Sequence, residues 1–342
     1  MIMTDNKIKV CVYTGSFNLI KKSGVGKAIE HQITVLKNAG FSVNEDPLRN
    51  CDIIHINFIL PDSVFKALHA RKLGVKVVFY GHSTMEDFKN SFAGSNFFAP
   101  LFKRWIIFCY NLGDIIITPS EYSKKILEGY GLKKEIYALS NGINTDFWKK
   151  DPDHIEASKE EFIKKYNIPR DSKIIISVGH FMRRKGIDDF ISLAQSNPDK
   201  TFIWFGHTDA ILVPSDIRRK IRNAPSNLIF AGYVESEDLK KAYECSDLFL
   251  FLSREETEGI VVLEALSCGI PTIVRDIPVY EGWLSDNENV YKFKGKKQLD
   301  ELLSNVLSND NFSVIKMGRL TAESRNFSNI GKELSSIYSR LL

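Results

Sequence analysis

Two glutamates eight residues apart, Glu256 and Glu264, lie in the stretch 254–271 (REETEGIVVLEALSCGIP). An ionised carboxylate offers only lone pairs, so carboxylates beside a loop suit a partner rich in hydroxyls, such as a sugar. Between them, Gly259 and Ile260 stand where a helix can open, and the free N–H groups of a helix start suit an anion such as a phosphate. The apolar run 248–252 just before them reads as a buried parallel strand. A strand that feeds a loop and then a helix puts the loop at the carboxyl end of the sheet, where open α/β sheets bind ligands. Alone, the segment also reads as a solvated acidic loop before an ordinary helix; three further sites give it weight.

Residues 177–188 (SVGHFMRRKGID) follow another strand and carry Lys185-Gly186 beside Arg183 and Arg184. Fixed cations stabilise the negative charge that develops on a leaving phosphate. Residues 21–28 (KKSGVGKA) bring Gly24 and Gly26 to the start of the first helix, where the backbone can approach a ligand closely. The spacing is not GxGxxG, so a nicotinamide cofactor has little support. His82, in 80–84 (YGHST), follows an apolar strand and is placed at the sheet's carboxyl edge, although a lone histidine is also commonly structural.

Elements able to position these residues alternate along the chain. Strands are expected over 8–13, 52–57, 76–80, 114–118 and 136–139, with helices over 26–38, 63–72 and 121–130. After a polar stretch over 149–172, with a helix over 156–166, strands follow at 173–178, 201–205, 228–230, 248–252 and 271–274. Strands with helical crossovers predict doubly wound parallel sheets. The length of 342 residues suits two domains, with a junction near 148–151.

The paired-glutamate segment resembles the signature of retaining glycosyltransferases of the GT-B fold, family 4, and the resemblance runs over nearly the whole chain. It implies an α/β fold of two Rossmann-like doubly wound domains facing each other across a cleft: 1–150 for the acceptor and membrane, 151–328 for the nucleotide sugar, and a helix over 329–342 crossing back to the first domain. It implies that Glu256 contacts the donor sugar and Glu264 the ribose, and that Lys185 with Arg184 holds the diphosphate. Gly259 and Ile260 join this donor set. The Gly24–Gly26 loop and His82 would shape the sugar and acceptor side, with His82 and Glu256 as the catalytic pair. One position departs from the family: it carries an arginine five residues before the Lys-Gly pair, and here that residue is His180. Attack on the same face as the leaving group would let the leaving phosphate take the acceptor's proton, so the flanking carboxylate pair of glycosidases is not required.

Residues 23–26 (SGVG), 31–32 (HQ), 55–57 (HIN), 81–92 (GHSTMEDFKNSF) and 119–123 (PSEYS) recur, in order, in bacterial diglycosyldiacylglycerol synthases, which the chain is therefore similar to. That likeness implies a hexosyltransferase using UDP-glucose or UDP-galactose as substrate, no cofactor and no metal, and a monoglycosyl-diacylglycerol acceptor at the inner face of the cell membrane. A polysaccharide or teichoic-acid precursor as acceptor, or a two-lobed sugar-nucleotide binder without turnover, are the alternatives.

Composition fits this reading. A 44% hydrophobic and 26% charged chain is a globular one. No apolar run reaches the 18 residues of a membrane span, and the first residues lack the order of a secretion signal. Five scattered cysteines at no metal-ligand spacing read as free thiols of a reducing cytoplasm. Residues 1–150 hold 20 Lys+Arg against 13 Asp+Glu, while the remainder holds 26 against 29, so the first half is the basic one. With lysine pairs at 21–22, 124–125, 133–134 and 149–150, that half suits anionic lipid rather than nucleic acid. The segment 87–110 adds Phe, Leu and Trp around Lys103 and Arg104, the composition of an interfacial helix. Its end, 105–110, reads better as a buried core helix, whereas 92–102 is harder to bury.

Overall fold

The computed structural model describes residues 7–15, 24–44, 48, 50–92, 94–152 and 155–342. They form two compact units: 1–88, 97–144 and 325–342 in the first, and 89–96 with 145–324 in the second.

The first unit runs β1 (Lys9–Tyr13), α1 (Gly24–Asn38), β2 (Ser42–Asn44), β3 (Ile53–Ile56), α2 (Pro61–Lys72), β4 (Lys76–Tyr80), α3 (Met85–Phe88), α4 (Ser95–Tyr110), β5 (Ile115–Thr118), α5 (Glu121–Glu128) and β6 (Glu135–Ala138). Its six strands are all parallel in the order β2-β1-β3-β4-β5-β6. Side chains of a strand alternate between faces, and β4 shows what that does. Val78 and Tyr80 pack with the α1 residues Ile29, Val35 and Leu36, while Val77 and Phe79 pack with Ile106 and Tyr110 of α4. A strand buried on both faces reads as a continuous apolar run, which is why these strands stand out in the sequence.

The second unit runs α6 (Thr145–Trp148), α7 (Ile155–Tyr166), β7 (Ile174–Val178), a 3-10 turn (Arg183–Lys185), α8 (Ile187–Ser196), β8 (Thr201–Phe205), α9 (Ser215–Arg222), β9 (Leu228–Gly232), α10 (Ser236–Cys245), β10 (Leu248–Phe251), α11 (Ile260–Cys268), β11 (Thr272–Arg275), a 3-10 turn (Pro278–Tyr280), β12 (Tyr291–Phe293), α12 (Lys296–Ser308) and α13 (Phe312–Ser324). Its strands are again all parallel, in the order β12-β11-β10-β7-β8-β9. Trp148 is buried edge-on to Tyr243, with ring centroids 5.7 Å apart, so the second unit takes up the chain from Thr145, a few residues before the junction expected at 148–151. The lysine pair at 149–150 therefore charges the second unit, not the first. The last helix, α14 (Phe327–Leu341), belongs to the first unit and lies on α1, with Leu334 and Tyr338 in the same core as Ile29.

Candidate active site

In the second sheet the strand order reverses between β7 and β10: β8 and β9 follow on one side, β11 and β12 on the other. The two strands pair directly, Ile175 beside Leu248 and Ile176 beside Phe249. Ligands of open α/β sheets sit beyond the strand ends at such a reversal. The loop leaving β7 carries Lys185 and the loop leaving β10 carries Glu256, and the two side chains meet. Lys185 Nζ donates to Glu256 Oε1 at 2.5 Å, Ser253 Oγ donates to the same oxygen at 2.6 Å, and an Arg184 guanidinium nitrogen stands 3.9 Å from it. Burial alone would raise the Glu256 carboxyl, but the Lys185 ammonium and the Arg184 guanidinium outweigh it, and it is held below the ordinary carboxylate range. Glu256 is therefore an ionised, almost fully buried acceptor.

The two loops are fastened to each other. The backbone N–H of Arg254 donates to the Arg184 carbonyl at 2.8 Å, and Arg184 Nη1 donates to the Glu255 carbonyl at 2.9 Å. Arg184 Nε also donates to Ser91 Oγ at 3.1 Å. The guanidinium expected to share the diphosphate thus holds the Glu256 loop in place, and Lys185 carries the ammonium beside the carboxylate. Arg254 in turn reaches Asp188 at 2.9 Å and Asp189 at 2.7 Å on α8, and Arg275 reaches Asp189 at 2.5 Å. Gly186 closes the turn in the left-handed region, φ 76°, and a Cβ there would lie 2.4 Å from the Leu252 carbonyl oxygen. Gly186→Ala is expected to cost at least about 2 kcal/mol from backbone strain and this clash together. Urea unfolding measures it, and a cost under about 0.5 kcal/mol would show that the loops do not approach so closely.

His180, at the family's arginine position, donates from Nδ1 to the His207 carbonyl at 2.7 Å. Burial, with the Lys185 and Arg184 charges adding to it, holds its imidazole below the usual histidine value, so it is neutral at pH 7. It supplies no cation there.

Gly259 adopts φ 95° and turns the chain into α11, whose first residue is Ile260. That terminus offers backbone N–H groups at the same reversal point. Glu264, one turn further on, is 3% exposed and lies 3.3 Å from the Tyr243 hydroxyl. One residue here escaped the sequence reading. Tyr280 is wholly buried, its hydroxyl has no hydrogen-bond partner among the described residues, and it lies 3.3 Å from where a Cβ on Gly259 would stand. Burial raises its phenol well above the ordinary value, and the Glu256 charge adds to that. Only its apolar neighbours in 277–284 could have flagged it. Because the hydroxyl is unpaired, Tyr280→Phe is expected to leave the thermal midpoint unchanged or higher. A drop of several degrees would reveal a partner for it.

The first unit gathers its own polar cluster. His82 is buried two residues past β4; its Nε2–H donates to Asn57 Oδ1 at 2.9 Å, and Gln32 Nε2 lies 3.3 Å from the same nitrogen. Gln32 also donates to Asn141 Oδ1 at 3.3 Å. Burial lowers His82 to about 4, so the ring is neutral. His31 donates from Nδ1 to the Gly142 carbonyl at 2.9 Å, and His55 packs at a tilt of 36° against Tyr80 with centroids 4.1 Å apart. Gln32 and Asn57 lie in the 31–32 and 55–57 motifs named from the sequence, but their contact with His82 joins segments that spacing along the chain does not connect. Gly24 opens α1, and a Cβ on it would meet nothing within 4 Å, so its backbone is open to approach. Gly26, in the same turn, is buried. Lys21, Lys22 and Ser23 of the expected loop lie outside the described residues.

The segment 95–110 is one helix, α4, with Pro100 inside it. Ile106, Cys109 and Tyr110 are buried, but Trp105 is half-buried and Phe108 is 49% exposed, so the stretch 105–110 is only partly the core helix expected, while Phe97 is 82% and Leu101 65% exposed. A second exposed apolar stripe, unforeseen from the sequence, lies on α2: Phe65 at 72% and Leu68 at 42%, beside Lys66, Arg71 and Lys72. Among the described residues no helix is long and apolar enough to cross a membrane.

Comparisons with known proteins agree with this geometry. Residues 158–326 match the family Glycosyl transferases group 1, and residues 40–147 match Glycosyltransferase Family 4. The chain is 36% identical over 336 residues to the processive diacylglycerol alpha-glucosyltransferase of Acholeplasma laidlawii, covering 98% of this chain and 99% of that one. It is 26% identical to the alpha-galactosylglucosyldiacylglycerol synthase of Streptococcus pneumoniae, covering 90% and 83%. Among solved structures, HepE of Anabaena in complex with UDP and glucose superposes with a TM-score of 0.77 at 14% identity, covering 98% of this chain and 100% of that one, a likeness of fold. Two parallel six-stranded Rossmann-like units, matches on both of them, and an end-to-end relative above 30% identity place this chain in the group 1/family 4 glycosyltransferases of the GT-B fold.

Proposed function

We propose that the protein moves glucose or galactose from a UDP-sugar to a monoglycosyl-diacylglycerol, with retention at the anomeric carbon, at the inner face of the cell membrane. The observation that carries the reading is the Lys185–Glu256 pair beside the N-terminus of α11, on a chain aligned end to end with a diacylglycerol glucosyltransferase. Each group of that pair is the natural partner of a different part of a nucleotide sugar. The ammonium suits the diphosphate and the carboxylate suits sugar hydroxyls, and each would make a charge-assisted contact to the donor. During transfer the bond from the anomeric carbon to the phosphate oxygen breaks and a bond to the acceptor oxygen forms. The acceptor's proton passes to the departing phosphate, whose charge Lys185 and the α11 N–H groups stabilise. Glu264 is given the ribose and His82 the sugar and acceptor side, as in the family. No cofactor and no metal enters these steps.

The acceptor end has separate support. HepE was solved with UDP and glucose, which favours a UDP-sugar; the first relative above is named for transfer of glucose to diacylglycerol and the second for a glycosylated diacylglycerol product. The exposed aromatic and basic residues of α2 and α4 suit an anionic lipid surface. The word processive in the first relative's name favours a second reading, in which the enzyme starts on diacylglycerol and adds sugars in succession.

The test incubates the protein with radiolabelled UDP-glucose or UDP-galactose and anionic vesicles holding either diacylglycerol or its monoglycosyl form. Thin-layer chromatography reads the products, and proton NMR reads the new anomeric centre. An α-linked diglycosyl lipid from the monoglycosyl acceptor supports the proposal, and label appearing first in a monoglycosyl lipid supports the second reading. Release of UDP with no labelled lipid would sink both.

A further inference from the structure

We propose that the surface formed by α3 and α4 of the first unit is a groove that takes one acyl chain of a membrane lipid, with Arg104 at its rim facing the lipid's ester or headgroup oxygens. This deepens the glycolipid reading above and rests on it for the identity of the lipid. The cavity measures about 650 Å³, within the range of small-molecule sites. Its half-buried floor is Phe88, Phe102 and Trp105, and its exposed rim is Phe98, Leu101 and Phe108. Phe88 and Phe102 stack at 4.1 Å, and Trp105 and Phe108 lie 5.5 Å apart. The Trp105 indole N–H is spent on the Ile59 carbonyl at 2.5 Å, so only the ring's apolar surface is left for the groove. Residues 98, 101, 102, 105 and 108 fall on one helical stripe, and a ten-residue rise makes that stripe about 15 Å long. An elongated apolar trough of that length fits an extended chain better than a compact ligand.

Charge selects the occupant. α4 contains Lys103 and Arg104 and no acidic residue; of the two acids of α3, Glu86 accepts from the Tyr130 hydroxyl, and neither Glu86 nor Asp87 lines the groove. A second copy docked by two-fold symmetry would set the same cationic patch against itself. Lys103 already lies over the Tyr130 ring at 4.3 Å, which leaves Arg104 as the cation lining the groove. An amphiphile with an oxygen-rich head and an apolar tail answers both features. Phe102 and Trp105 are half-buried while Phe98, Leu101 and Phe108 are exposed, so the stripe offers a shallow apolar floor that an acyl chain can cover.

The test uses the full chain and lysophosphatidylglycerol with acyl chains of six to twelve carbons, kept monomeric, with binding read by titration calorimetry. Affinity is expected to rise about fourfold per added methylene until the groove is filled. Leu101→Trp, an exposed position whose larger ring would fill the trough, is expected to weaken binding at least tenfold while the protein still floats with anionic vesicles. Affinity independent of chain length, or undiminished in Leu101→Trp, overturns the groove. So does a dimer in sedimentation that binds no lipid monomer, which would give the surface to a second copy. If the protein floats and glycosylates lipid but binds no monomeric chain, the groove fails and the proposed function stands. If it binds the chain with this length dependence but glycosylates no lipid, the proposed function fails and the groove stands.

Discussion

Lys185→Ala is expected to lower kcat/KM for sugar transfer by about a thousandfold and to destabilise the second unit by about 3 kcal/mol. The two losses have different origins. Removing a fixed cation from a developing phosphate charge costs two to three orders of magnitude in rate. Removing it from the unliganded protein leaves a buried Glu256 carboxylate with Arg184 at 3.9 Å as the nearer remaining cation, so the stability loss falls at the low end of the usual range for a broken buried pair. Sign matters for the pH arm of the measurement. Glu256 has its folded value lowered, so its contribution is fully present above the ordinary carboxylate range and is lost as pH falls through the lowered value. Without Lys185 that contribution should vanish, and stability should fall less on going from pH 7 to pH 4 than in the parent.

A double variant separates fold from chemistry. Lys185→Met with Glu256→Gln removes both charges of the pair and keeps most of the volume, and the buried Arg184 keeps its bonds to Ser91 and the Glu255 carbonyl though it loses the carboxylate, so stability should return to within about 2 kcal/mol of the parent. Transfer should stay as low as in Lys185→Ala, because neither the phosphate cation nor the sugar-binding carboxylate is restored. Urea unfolding and steady-state transfer with labelled donor supply both numbers. Recovery of activity together with stability would reduce Lys185 and Glu256 to structural residues.

The strands most plainly legible in the sequence are those buried on both faces, although the partly exposed β6 and β9 were also expected. The run IIIT of β5 and the run LFLF of β10 have no polar face to interrupt them, so they announce themselves and fix where the loops carrying chemistry begin. The strands that went unseen, β2 (SVN) and β12 (YKF), are three-residue strands at the sheet edges, too short to show a period. Lys185 and Glu256 were legible because each follows such a core strand and each has a residue type that matches a phosphate or a sugar. Their contact was not, since β7 and β10 become neighbours only through sheet order, which spacing along the chain does not encode. Arg184 shows the same limit: a basic residue beside Lys185 reads as a ligand for phosphate until the backbone turn sends it to the Glu255 carbonyl. The segment 87–110 was divided by burial, 92–102 from 105–110, whereas α4 is one helix that runs through Pro100, which lacks the N–H that a helix interior uses. Neighbouring packing overrides that cost, as Ala99 and Ile106 on either side of it are fully buried.

Lowering the pH from 8 to 5 is expected to remove about 6 kcal/mol of the first unit's stability, about 2 kcal/mol for each of His31, His55 and His82. All three are buried, and burial is the leading cause that holds them down, to about 4 for His31 and His82 and about 3 for His55. In the unfolded chain each titrates near 6.5. Stability is therefore full above that value and falls steadily as the pH drops toward 4, because the unfolded chain takes up protons that the folded one refuses. Carboxylates act in a lower window, so a decline that starts near pH 6.5 belongs to the histidines. A loss of this size is a large share of what a domain possesses, and the first unit should unfold near pH 5. His55→Phe isolates one contribution: the ring keeps its packing on Tyr80 and gives up an Nε2 that is buried without a partner among the described residues, together with the 3.5 Å contact of Nδ1 to the Tyr338 hydroxyl. Stability at pH 8 should fall by no more than about 1 kcal/mol for that lost contact, while the loss between pH 8 and pH 5 should shrink by about 2 kcal/mol. An unchanged loss would mean that His55 takes up its proton as readily in the folded protein as in the unfolded chain. The same reasoning sets how an acidic limb in a pH–rate profile is to be interpreted. If circular dichroism of the parent shows unfolding over the pH range in which transfer fails, and His55→Phe shifts both together, the limb reports the cost of charging a buried cluster rather than a catalytic proton at His82.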